Sequence, residues 1–217
     1  MRRRAASSEM PSRAVSRWIR CSSGAGKTTA LRVLETMGTL ILDADAVYHE
    51  LTETSAPLRE ELTARFGEVY DGNRLDRRRL ADIVFRENAA LRDLNAITHK
   101  YVLAEIDRRL GEHARNGGTL AAIDAIALLE SGLGKHCAFT VAVTAPAGPR
   151  IQRLTARDGI SEEAARRRIA AQKDDAFFEA HCDFVLRNEG DRAAFEQQCQ
   201  HFFTEVLNKY GRGKKGR

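Results

Sequence analysis

Apolar and polar positions alternate along this chain with two periods, and the periods change at regular intervals. Ala30, Val33, Leu34 and Met37 fall at i, i+3, i+4 and i+7, which predicts a helix with one buried face, ended by Gly38. Thr39 to Leu42 is a short apolar run that closes on Asp43-Ala44-Asp45, the pattern of a buried strand delivering two acids at its carboxyl end. Short helices are expected at about 45–53 and 57–66, then a loop over 67–73 with Asp71-Gly72 as its turn. A helix over about 76–86 carries Leu80, Ile83 and Val84. A longer one over about 88–115 carries Leu91, Leu94, Ile97, Tyr101, Ile106 and Leu110 on one face.

Strands are then expected at 119–123, ending on Asp124, and at 138–143, closed by Pro146. A basic helix over about 147–156 leads through Asp158-Gly159 to another that starts near Ser161. Asp183 to Leu186 reads as the last strand, with a C-terminal helix after Asn188-Glu189-Gly190. Strands alternating with helices predict an α/β fold, a parallel sheet covered on both faces. In such sheets ligands sit beyond the carboxyl ends of the strands. That rule brings the segment before the first helix, Asp43, Asp45 and Asp124 to one edge.

The segment before that helix is the richest in chemistry. Ser23-Gly24-Ala25-Gly26-Lys27-Thr28-Thr29 has the small residues that let backbone N–H groups curl around a phosphate chain. Lys27 supplies charge for the terminal phosphates, Thr28 a hydroxyl suited to Mg²⁺, and the helix its positive end. The full G-x-x-x-x-G-K-[ST] pattern would have glycine at position 21, where Cys21 stands. The preceding Val15 to Arg20 is a poor buried strand, because Arg17 and Arg20 have no place inside a sheet.

Charge sharpens this picture. The whole chain carries +5; residues 1–20 contribute +5 and residues 209–217 another +5, so the body from 21 to 208 carries −5. The basic character belongs to the ends, read as a solvated, disordered tail at 209–217 and an atypical basic segment at 1–20. The latter has the Arg- and Ser-rich composition of a transit peptide, or stands where another native start and first strand belong. Nucleic-acid binding by the body is not expected, and no apolar run approaches membrane-spanning length. Cys21, Cys137, Cys182 and Cys199 are dispersed without a C-x-x-C pair, which favours reduced thiols and a cytoplasmic setting.

Phosphoryl transfer needs a proton acceptor, a metal on the phosphates and positive charge around the transferred group. Asp45 is the candidate base. Asp43, two residues away, competes for that role, and a helix cap is the structural alternative for Asp45. Arg150, Arg153 and Arg157 recur on one helix face that can close as a lid. Arg153 is the favoured phosphate clamp, Arg157 is evenly balanced, and Arg150 is read as solvated surface. His99 reads on pattern alone as an ordinary helix histidine.

Five segments resemble the dephospho-coenzyme A kinase family. They are the Ser23–Thr28 loop, Leu42-Asp43-Ala44-Asp45, Leu75-Asp76-Arg77-Arg78-Arg79-Leu80-Ala81 leading to Val84-Phe85, Leu94-Asn95-Ala96-Ile97-Thr98-His99, and Asp124 through Gly132. Arg153, Arg157-Asp158, Gln172 and Asp183 to Asn188 continue the likeness, which spans about residues 22–207. The chain departs from the family at Lys100 and Ile126, where prolines are usual, and at Cys21.

The resemblance implies a P-loop kinase-type three-layer sandwich. It would have a parallel five-stranded sheet, a helical acceptor region over about 57–115 and a lid over about 150–175, within one domain over 21–208. It implies transfer of the ATP γ-phosphate to the ribose 3′-hydroxyl of dephospho-coenzyme A with Mg²⁺. Gly24 to Thr29 would bind ATP phosphates, Thr28 the metal, and Asp45 would be the base. Lys27 and Arg153 would stabilise transferring charge, Asp43, His99 and Asp124 would face the acceptor, and Asn188 would lie near the adenine, with Ser23 and Arg157 on the ATP side. A monomer or weak homo-oligomer is expected. A shikimate-kinase-like enzyme and a non-catalytic nucleotide-binding remnant are the alternatives. The first would want a Gly-Gly-Gly turn after a later strand, whereas Gly117-Gly118 precedes one.

Overall fold

A computed structural model describes the backbone of residues 15–21, 24–124 and 137–210. Five strands form one parallel sheet: β1 (Val15–Cys21), β2 (Leu40–Asp43), β5 (Leu120–Asp124), β6 (Phe139–Thr144) and β7 (Phe184–Arg187), in the order β2-β5-β1-β6-β7. The chain order reverses around β1, so a crevice opens beyond the carboxyl ends of the central strands. The segment read as a poor buried strand is therefore paired on both sides: Trp18 lies opposite Ile123 in β5 and Thr140 in β6. Backbone hydrogen bonding carries this strand, a contribution that a side-chain pattern does not register.

Alternation along β5 sends Ala122 to one face of the sheet and Ala121 and Ile123 to the other. On the first face, α1 (Lys27–Thr36) and α9 (Arg192–Tyr210) bury Val33, Leu34, Phe195 and Phe203 against Val141 and Val143. On the second, α2 (Ala44–Thr54) and α5 (Asn88–Arg115) pack Val47, Val102 and Ile106 against Leu42 and Ile123. The result is three layers. α9 runs through Tyr210 and so includes Lys209, which was expected in the basic tail; residues 211–217 lie outside the described residues.

The region between β2 and α5 makes its own core. α3 (Ala56–Phe66), the two-stranded hairpin of β3 (Tyr70–Asp71) and β4 (Arg74–Leu75), and α4 (Arg77–Val84) enclose Leu58, Leu62, Val69, Leu80 and Ala90. The Asp71-Gly72 turn expected as loop is thus the tip of a short hairpin, with Gly72 at φ 57°. α6 (Ala147–Asp158) and α7 (Glu162–Ala170) share a small cluster of Ile151, Leu154 and Ala165. α8 (Asp175–His181), capped by Asp174, was not expected from the pattern. No helix among the described residues is long and apolar enough to cross a membrane.

Candidate active site

The loop leaving β1 enters α1 through Gly24 and Gly26, both at positive φ (75° and 113°). Gly26 takes the left-handed cap position, and its carbonyl accepts from the N–H groups of Thr29 and Ala30. A side chain there has no room: a Cβ on Gly26 would lie 2.5 Å from Asn188 Nδ2. The cradle is braced from outside. Asn188, buried just after β7, donates Nδ2 to the Ala25 carbonyl at 2.8 Å. Arg153 donates to the Gly24 carbonyl at 3.2 Å and to Asn188 Oδ1 at 3.3 Å. Ser23 lies outside the described residues.

Lys27 opens α1 and reaches Asp124 at the end of β5, with Nζ 2.8 Å from Oδ2. Asp124 is 5% exposed, and its Oδ1 has no hydrogen-bond partner among the described residues. Burial pushes its carboxyl above the usual carboxylate range, Lys27 pulls it down, and Asp43 and Asp45 push it up again. Asp124 therefore feels both neighbouring carboxylates, and the β2–β5 register places Asp43 directly opposite it.

Asp43 and Asp45 stand in different surroundings. Asp43 is the N-cap of α2, its Oδ1 accepting from the N–H groups of Asp45 and Ala46 at 2.9 and 3.1 Å. The cap assigned to Asp45 as its structural alternative thus belongs to Asp43. Asp45 is exposed in the first turn of α2 and lines a cleft of about 250 Å³ with Tyr48, Leu94, Asn95, Thr98 and His99. His99 is thereby a cleft-lining residue of α5, not merely a helix histidine. Tyr48, Asn95 and Thr98 were not singled out as site residues. Their signal was spacing: Tyr48 follows Asp45 by three, and His99 follows Asn95 by four.

The arginine row divides unexpectedly. Arg150, read as solvated surface, is 6% exposed and donates Nη2 to Gln172 Oε1 at 2.6 Å. Its burial, which pushes the guanidinium below its usual range, follows from α6 packing on the cradle: a Cβ at Gly24 would meet the Arg150 carbonyl at 3.0 Å. Arg157 is exposed and held by Asp158, Nε to Oδ1 at 2.6 Å. The structure thus gathers Gly24 to Thr29, Lys27, Arg153 and Asn188 at the cradle, and Asp43, Asp45, Asp124 and His99 beside it. Arg157 stands apart on its own ion pair.

The chain's similarity to known proteins runs along the same residues. The family model described as dephospho-CoA kinase matches residues 20–194. A dephospho-CoA kinase of Thermobifida fusca (strain YX) is 33% identical over 188 residues, covering 86% of this chain and 93% of that protein. One from Corynebacterium glutamicum is 33% identical over 189 residues, with 86% and 94% covered. Among solved structures, TT1252 from Thermus thermophilus superimposes with a TM-score of 0.73 at 30% identity, over 89% of this chain and 98% of that one. A dephospho-CoA kinase from Campylobacter jejuni, at 22% identity and a TM-score of 0.66, shares the fold. The chain belongs to the dephospho-CoA kinase family.

Proposed function

We infer that this protein phosphorylates the ribose 3′-hydroxyl of dephospho-coenzyme A with ATP, the last step of coenzyme A formation. The observation that carries the reading is the Lys27–Asp124 ion pair at the rim of the sheet, with the phosphate cradle on one side and the Asp45 cleft on the other. The cradle holds the ATP phosphates through backbone N–H groups and the head of α1. Lys27 leaves Asp124 for the terminal phosphates, and Arg153, already on the cradle, adds charge where the transferred group gathers it. Asp45 takes the proton of the 3′-hydroxyl. That oxygen bonds to the γ-phosphorus as the bond to the β–γ bridging oxygen breaks, and ADP leaves with the electron pair.

Mg²⁺ fits this site as a companion of the nucleotide. Among the described residues no cluster of three His, Cys, Asp or Glu would hold an ion unaided. Thr28 is exposed at the head of α1, and the unpartnered Oδ1 of Asp124 is a buried anionic oxygen in the same place. Those two residues would hold the ion, which when bound neutralises charge on the β- and γ-phosphates.

The test is acceptor-dependent turnover. ADP release should require dephospho-coenzyme A and yield a product one phosphoryl group heavier on the 3′-oxygen, while shikimate draws none. ATP binding without transfer to dephospho-coenzyme A would defeat the assignment.

A further inference from the structure

Two clefts lie along one side of α2. The smaller holds Asp45 and Tyr48. The larger, about 410 Å³, is lined by Thr52 and Glu53 of α2, Asp71 and Arg74 of the hairpin, and Asp76 and Arg77 at the head of α4. Asp45, Tyr48 and Thr52 stand at i, i+3 and i+7, so they share a helix face. At 1.5 Å per residue, Thr52 lies about 10 Å beyond Asp45 along that face. Arg77 ties the clefts together. It lines the larger one, and its Nη2 is 2.8 Å from Nδ1 of His49, the neighbour of Tyr48. Its charge reaches the Tyr48 phenol, opposing the upward push of burial there.

The lining has an unusual balance. Two guanidinium groups face three carboxylates, an arrangement that repels a phosphate on balance. One Asp76 oxygen is occupied in capping α4, where it accepts from Arg79 N–H. Among the described residues, Glu53, Asp71, Arg74 and Arg77 make no ion pair, and Arg77 has donors beyond the nitrogen that meets His49, so strong donors and strong acceptors stand side by side. An amide needs one of each.

We propose that the larger cleft seats the uncharged, amide-bearing pantetheine tail of the acceptor, with Arg74 and Arg77 donating to its carbonyls and Glu53 and Asp71 accepting from its N–H groups. The assignment rests on the acceptor reading above. With the 3′-hydroxyl at Asp45, the rest of the molecule runs along α2 and its tail arrives at the second cleft. These residues then select an acceptor with the tail over a bare nucleotide.

Calorimetric titration of the full chain tests this, with the donor cradle filled by a non-hydrolysable ATP analogue. Dephospho-coenzyme A and ADP are the titrants, since ADP keeps the adenosine and both phosphates but lacks the tail. Arg77→Ala, and separately Arg74→Gln, should weaken dephospho-coenzyme A about ten-fold, the loss of a charged hydrogen bond, and leave ADP within about two-fold. Retained ADP binding also reports that the variants are folded. Equal weakening of both titrants would overturn the proposal, and so would no weakening of either. A parent protein that binds ADP as tightly as dephospho-coenzyme A would overturn it too, even if transfer occurs. A parent that discriminates between them without transferring phosphate would defeat the catalytic reading and leave this one standing.

Discussion

At Gly26 both backbone and space forbid a side chain, and the consequence is measurable. Gly26→Ala would strain a φ of 113° and drive a methyl group into Asn188. We expect a loss of about 1–3 kcal/mol in urea unfolding, together with loss of binding to a fluorescent ATP analogue. Asp45→Asn should behave differently, keeping ATP affinity and lowering kcat by about 10²- to 10⁴-fold, as expected for a lost proton acceptor. Equal rates in parent and variant would remove Asp45 from that role. Asp43, Asp45 and Asp124 were brought to one edge of the sheet because they close apolar runs, and Lys27 was placed there by the small-residue loop that precedes it. The burial of Arg150 was not legible. Its spacing placed it correctly on α6, but spacing is silent about what covers a face, and its partner Gln172 is supplied by a later turn of chain.

Elements explain how such residues are aimed. The cap at Asp43 sets where α2 begins, and α2 in turn presents Asp45 to the cleft. Asp43→Ala should cost about 1 kcal/mol in unfolding free energy and also lower kcat, because Asp45 loses the carboxylate that holds its N–H. Asp43→Asn, which can still cap, should recover most of the stability. Measuring both variants by urea titration and turnover separates the cap from any charge effect. The bounds of long periodic elements were read nearly to the residue, α5 above all, since a helix of 28 residues leaves little ambiguity, although Leu91, expected on its apolar face, is exposed. The two-residue strands of the hairpin and the seven-residue α8 are too short for a period to register. β1, expected to be a weak strand, takes its place through backbone pairing with neighbours on both sides, which a side-chain pattern does not register.

Across the molecule, α2 and α5, which share one layer, are fastened to each other by charge as well as by apolar packing. Glu105 on α5 accepts from Arg108 and Arg109, and Arg109 also holds Glu50 of α2. Hydrogen bonding from Arg108 holds the Glu105 carboxyl down at about 2, well below its usual 4.5. A depressed acid stabilises the folded state above its unfolded value and loses that contribution as pH falls toward the folded one. Glu105→Gln should therefore be less stable than the parent at pH 7, and the gap in urea midpoint should close as pH falls from about 4.5 toward 2. A gap that stays constant through this range would show that charge is not the fastening.

The braces on the cradle come from far along the chain: Arg153 is 129 residues beyond Gly24, and Asn188 is 163 beyond Ala25. The cradle glycines thus acquire their working shape only after β7, far later in the chain, has emerged. A nascent or truncated polypeptide lacking β7 would carry all of Gly24 to Thr29 and still have no hold on the nucleotide.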